Sequence, residues 1–316
     1  MKKYILIILF FFIAKIGFGQ SINRFNPDTV ITVVIDSVVV IKTAKSGLNV
    51  EDFIQAIVKD TSFYEAFRNM KKYAFIAENR VFTYDKQNKI EGSIYRKIAH
   101  SNDKDKHHIN YLEKKDTGKL YKKNGKYSLY TVEMFDYIFM NAYNSDFVPN
   151  ASGGPAGKKG SNESYKDKLK TLIFSPGRPI KGVPLISGKT EIFTPNMRQY
   201  YNYQFSSGTY LDSIPVFRFK VSLKPDLTNW TKDGLMIKEL TTIFDKRNFQ
   251  ILGRYIDMKL DNIAFDFDVQ MNIEMSYFNN DELLPTKISY QGNWDIPLKK
   301  PERASFLVLH KNYLPE

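Results

Sequence analysis

Hydrophobic and polar residues alternate without a break from Ile263 to Tyr277. The odd positions Ile263, Phe265, Phe267, Val269, Met271, Ile273, Met275 and Tyr277 are apolar. The even ones, apart from Ala264, are Asp266, Asp268, Gln270, Asn272, Glu274 and Ser276. Only an extended chain sends alternate side chains to opposite faces, so this stretch predicts one long β-strand, apolar on one face and wet on the other. At about 3.4 Å per residue it spans roughly 50 Å, well beyond the usual strand, and needs a large, curved partner surface.

The rest of the chain sorts by the same criterion. Thr29 to Thr43 is rich in β-branched residues and predicts a strand, or two strands broken near Asp36-Ser37. At Asn49 the period changes. Phe53, Ile54, Ile57 and Val58 form a helical stripe behind an Asn49 cap, and Asp60-Thr61-Ser62 opens a second helix with Phe63, Ala66, Phe67 and Met70 on one face. From Lys72 the period returns to two: a strand, a turn at Asp85 to Asn88, a return strand, then two short strands with turns at Thr117-Gly118 and Asn124-Gly125. Val132 to Tyr143 is an amphipathic helix or a buried aromatic segment. Pro149 to Ser164 is a Gly/Pro-rich loop, and Tyr165 to Phe174 is a short helix stopped by Ser175-Pro176-Gly177. From Glu191 onward strand follows strand, starting with Glu191 to Pro195, with turn clusters at Ser206 to Gly208, Pro225-Asp226, Asp233-Gly234, Lys246 to Asn248 and Asn279 to Asp281. Such short connections make an antiparallel meander.

The N-terminus has a different character. Lys2 and Lys3 precede an apolar run from Tyr4 to Ala14, and Gly17-Phe18-Gly19 follows. This is the pattern of a secretory signal peptide, with cleavage expected after Gly19; the run is too short for a membrane span. The sequence contains no Cys, so neither disulfides nor a cysteine-linked lipid anchor can form. The leader carries three of the lysines, so its removal takes the formal charge from +12 to +9. That charge gathers in residues 86 to 126 and 158 to 189. Two Lys-rich stretches on an exported protein are solvated loops or contacts to anionic headgroups. Nucleic acid is not expected as a partner, because no recognition motif is present.

Candidate chemistry is sparse. There is no Gly-x-Ser-x-Gly elbow, no Cys nucleophile and no His-Glu-x-x-His, so no catalytic residue is assigned. Gly157-Lys158 lacks the following Ser or Thr of a phosphate loop. His107 and His108 are adjacent and would point apart in a strand, and Asp266 and Asp268 lack the loop pattern calcium prefers. No metal or cofactor is assigned. The apolar row Phe265, Phe267, Val269, Met271, Ile273 and Met275 has two readings: ordinary core beneath helices, or the lining of a cavity for acyl chains, to which two adaptable Met side chains lend themselves.

Four stretches carry a resemblance: Asp60 to Phe67, Ile237 to Asp245, Ile251 to Tyr255, and Gln291-Gly292-Asn293-Trp294. Together with the order of elements they look like uncharacterised exported envelope proteins of Gram-negative bacteria. That order also resembles, distantly, the localisation-of-lipoprotein (LolA/LolB-like) carrier and receptor family. The resemblance implies a curved, unclosed barrel with helices over its concave face.

The expected fold is therefore α+β: a large twisted antiparallel sheet forming an unclosed half-barrel, with helices packed on its apolar face. The organisation expected is a signal peptide at 1–19, a β-rich arm at 20–45, and a half-barrel domain at 46–316 with a flexible loop at 149–164. The expected function is non-enzymatic: an exported protein of the periplasm or outer-membrane periphery that binds or carries a lipid or lipidated partner. The alternative is a structural or interaction module of the envelope, with a filled core and no ligand. No transmembrane helix is expected once the signal is removed.

Overall fold

A computed structural model describes residues 38–43, 48–103, 106–140, 173–178, 188–261, 266–279, 282–295 and 300–315. The expected leader at 1–19, the loop at 149–164 and Phe265 lie outside these residues.

Among the described residues, eleven strands form one sheet. In chain order they are β1 (Val38–Thr43), β2 (Ala74–Tyr84), β3 (Ile90–Asp103), β4 (Lys106–Gly118), β5 (Tyr201–Tyr210), β6 (Ile214–Leu223), β7 (Ile237–Asp245), β8 (Ile251–Asp261), β9 (Asp266–Phe278), β10 (Glu282–Asp295) and β11 (Glu302–Leu314). Their order across the sheet is β1-β5-β6-β7-β8-β9-β10-β11-β2-β3-β4, and every neighbouring pair is antiparallel. The seven strands from β5 to β11 are the meander the sequence predicts. The last of them returns to β2 and joins the meander to the N-terminal hairpins. β1 and β4 stand at opposite edges, so the sheet is not closed. With helices on one face, this is the α+β half-barrel expected.

The long alternating stretch is β9. Phe267, Val269, Met271, Ile273 and Met275 are between 0% and 4% exposed and belong to one continuous apolar core. The opposite face is only partly wet. Asp268 and Gln270 are half-buried, but Asn272 and Glu274 are buried. Asn272 Nδ2 donates to Glu274 Oε1 at 2.7 Å, and Lys287 of β10 approaches that oxygen at 3.4 Å. These mutual pairings let polar side chains be buried on the outer face.

Helices α1 (Val50–Lys59) and α2 (Ser62–Asn69) cover the inner face. The Asn49 side chain accepts from the backbone N–H of Glu51 and Asp52, and Asp52 reciprocates to Asn49 N at 2.7 Å. This box starts α1 where predicted. The Phe53 ring lies within 5.7 Å of Phe205, Phe217, Phe219, Phe244 and Phe249, so one side chain ties three strands together. Further along, α3 (Tyr130–Phe135) runs into a wider turn at Asp136–Met140 and stacks Phe135 on Phe306 of β11 at 3.9 Å. Two short helices, α4 (Pro195–Arg198) and α5 (Asn229–Gly234), sit between strands. Among the described residues no helix is long and apolar enough to cross a membrane.

Three local expectations are corrected. Glu191 to Pro195 is a run of turns leading into α4, not a strand; Pro195 takes the first helical position, where its missing N–H costs nothing. Ser206 to Gly208 is not a turn, because β5 runs through it. Its backbone pairs on one side with Val216 to Arg218 and on the other with Val40, Lys42 and Thr43 of β1. The stretch after His107 is one long edge strand, β4, followed by a hairpin whose only ladder contact is Tyr121 with Tyr127 around Asn124-Gly125.

Candidate ligand-binding site on the inner face

Cross-strand register fixes which side chains share the inner face. In β2 they are Phe75, Ala77, Asn79, Val81 and Thr83. In β3 they are Gly92, Ile94, Arg96, Ile98 and His100. In β4, Asp116, Lys114, Tyr111 and Ile109 stand opposite them, with a bulge between. From β6 to β3 the side chains on this face are mostly buried, and those of β5 are partly so. Over β4 the cover stops: Ile109 is 40% exposed and Tyr111 is 52% exposed.

At that uncovered end lies a cavity of about 490 Å³. Its floor is Arg96 and Ile98 of β3 with Ile109, Tyr111, Lys114 and Asp116 of β4. Its walls are Tyr121, Gly125 and Tyr127 of the hairpin, and Asp136 and Met140 of the turn after α3. The Asn-Gly turn brings Tyr121 and Tyr127 side by side, 5.2 Å between ring centroids and near parallel. Gly125 makes that turn possible with φ of +78°.

Arg96 is the centre of the polar part. Nη2 donates to Tyr121 OH at 3.0 Å and to Tyr127 OH at 3.1 Å, and Nη1 reaches Asp136 Oδ1 at 3.3 Å. Tyr121 in turn donates to Asp116 Oδ2 at 2.7 Å. Burial works against the Arg96 charge, but Tyr127, Tyr121 and Asp136 outweigh it and hold the guanidinium above its ordinary pKa. Burial raises Asp136, with Arg96 opposing. Burial also raises Tyr127, which the charge of Asp136 reinforces, so its phenol stays a neutral donor at all working pH. Arg96 Nε and Asp116 Oδ1 are left with no hydrogen-bond partner. The cavity is thus polar at one end, around Arg96, Lys114 and two carboxylates, and apolar at the other, around Ile98, Ile109, Tyr111 and Met140.

The apolar row named from sequence lies elsewhere. Phe267, Val269, Met271, Ile273 and Met275 sit under the helices in the packed core, and none of them borders this cavity. Asp266 and Asp268 flank the outer-face ladder, where burial raises the Asp266 carboxyl and Asp261 adds to the effect. His108 is exposed on β4; His100 and His310 are buried on the inner face of β3 and β11. Among the described residues no group of three His, Asp or Glu side chains is placed to hold a metal.

Sequence reading did not single out Arg96, Asn79 or Arg254. The signal was available: each is a polar residue in the apolar phase of an alternating strand, as in Ile94-x-Arg96-x-Ile98 and Leu252-x-Arg254-x-Ile256. A charge in that phase conflicts with the surrounding pattern, and such conflicts mark functional positions.

No protein-family profile matches the chain, and no curated protein matches it. Among solved structures it is similar to a DUF1329 family protein from Desulfovibrio piger ATCC 29098, with 9% identity over 84% of this chain and 93% of that one, at a TM-score of 0.23. A likeness that slight bears on neither fold nor function.

Proposed function

We propose that this is an exported, non-enzymatic binding protein of the cell envelope. It holds a lipid, or the acyl chains of a lipidated partner, on the inner face of its half-barrel, and the β3–β4 end is the way in. The observation that carries this reading is the uncovered end itself. An apolar sheet face protected by helices along most of its width is left open at one edge, beside a cavity within the usual size range of small-ligand sites. Exposed apolar side chains grouped beside a concavity mark contact sites more often than solvated surface. The Lys-rich character of β4 and its hairpin, with Lys114, Lys115, Lys119, Lys122, Lys123 and Lys126, suits an anionic headgroup at the mouth.

A second reading is favoured by the packing of the β9 row: the protein is an envelope interaction module whose core is filled. One experiment separates them. The mature protein is titrated with a fluorescent fatty-acyl probe, alongside an Ile109→Asp, Tyr111→Asp double variant. The binding reading expects saturable uptake, weakened at least about tenfold by two charges placed in the apolar end. Absence of uptake by the wild-type chain, or equal affinity in both proteins, supports the filled module.

A further inference from the structure

A second polar spot lies in the middle of the inner face, far from the open edge. Arg254 stands on β8 in the phase of Leu252, Ile256, Met258 and Leu260, and is itself only 2% exposed. Its cross-strand neighbours are Thr242 of β7 and Ile273 of β9. Phe63 of α2 roofs the guanidinium, with Cζ 4.3 Å from the ring centroid. Nη1 donates to the backbone oxygen of Phe174 at 3.0 Å. Nε and Nη2 have no hydrogen-bond partner, and neither does Thr242 Oγ1. The acid that acts on this charge, Asp60, is engaged elsewhere: it accepts from Ser62 N, Ser62 Oγ and Phe63 N at the start of α2. Burial lowers the guanidinium pKa to about 10, with Asp60 opposing, so the group is still a cation at neutral pH.

The unpaired donors form a specific pattern. Nε–H and one Nη2–H point in parallel from a single edge of the planar guanidinium, and that edge is the one that takes a carboxylate or phosphate through two bonds at once. A buried charge without a partner is costly, and so is a buried hydroxyl. Here the two unpaired donors of that edge and the unmatched hydroxyl belong to side chains that are directly opposite in register, about 5 Å apart at Cβ.

We propose that Arg254 and Thr242 form a receptor for an oxyanion, a carboxylate or phosphate, seated among the apolar side chains of the inner face. Two ligand oxygens accept from Nε and Nη2, and the Thr242 hydroxyl donates to one of them. These atoms lie apart from the edge cavity, whose lining includes neither Arg254 nor Thr242. Water filling the same place would satisfy the donors but not the charge, and the test separates the two.

The mature chain, Arg254→Met and Arg254→Lys are melted with acetate, inorganic phosphate, decanoate or decanol, each added before and during refolding because the site is roofed by Phe63. Wild type is expected to gain about 5 °C in Tm from at least one of the anions well above its Kd. Arg254→Met melts at or above wild type without anion and gains nothing from it. Arg254→Lys keeps the charge, loses the parallel pair of donors, and retains less than about a tenth of the affinity; it serves alone where Arg254→Met does not fold. Decanol, uncharged, shifts all three proteins alike. Protection by acetate or phosphate identifies a free anion as sufficient, and protection by decanoate alone identifies an anionic amphiphile. No anion protecting wild type, or equal protection of wild type and variants, overturns the proposal in favour of buried water.

Discussion

His310 shows what a single buried side chain contributes here. Its Nδ1 lies 3.1 Å from the oxygen of Pro285 and therefore carries the proton and donates; Phe75 meets the ring edge-on at 5.4 Å. Burial, then the neighbouring His100, push its pKa down from 6.5 to about 3, with the Pro285 bond opposing. The unfolded chain takes up this proton below 6.5 and the folded chain does not, so stability present at neutral pH is lost as pH falls toward 3. The slope from this one group is at most about 1.4 kcal/mol per pH unit. Thermal melts between pH 7 and pH 4 should fall steadily in the wild type, and His310→Leu should flatten that part of the profile. An unchanged slope in the variant would move the titration to other groups.

Among the elements, α1 lends itself to measurement because its two supports act separately. Asn49→Ala removes the box at the exposed N-terminus and should cost about 1 kcal/mol. Phe53→Ala empties the place where β5, β6 and β7 meet and should cost about 3–5 kcal/mol. Urea midpoints give both values, and similar losses would contradict the division between local cap and tertiary packing. The cap was legible in sequence, since Asn49 and Asp52 stand at fixed spacing before an apolar stripe. The strand character of Ser206-Ser207-Gly208 was not. Those residues favour turns by their local chemistry, and only ladders on both sides, one of them from distant β1, hold them extended. Glu191 to Pro195 failed for the converse reason: apolar residues in a short run do not distinguish a strand from packed turns.

Across the whole molecule, alternation from β5 to β11 sufficed to give the meander and its inner face. It could not give the return of β11 to β2, which joins residues more than two hundred positions apart, nor the place where helical cover ends, which is set by how the hairpin and the turn after α3 pack on the sheet. The apolar row of β9 was readable as inward-facing. What no strand's own pattern reveals is that β4, on the same sheet, keeps its inner residues exposed. Polar residues in apolar phase, Asn79, Arg96 and Arg254 among them, mark places where the sheet departs from a simple core, and the two arginines carry the candidate sites. Both sites fit a proposal in which the inner face receives an amphiphile. Native mass spectrometry of the protein isolated from cells that make it is the direct test. A second species is expected, heavier by the mass of a bound lipid or acyl chain and removed by delipidation. A single ligand-free species that no added lipid converts or stabilises would contradict it.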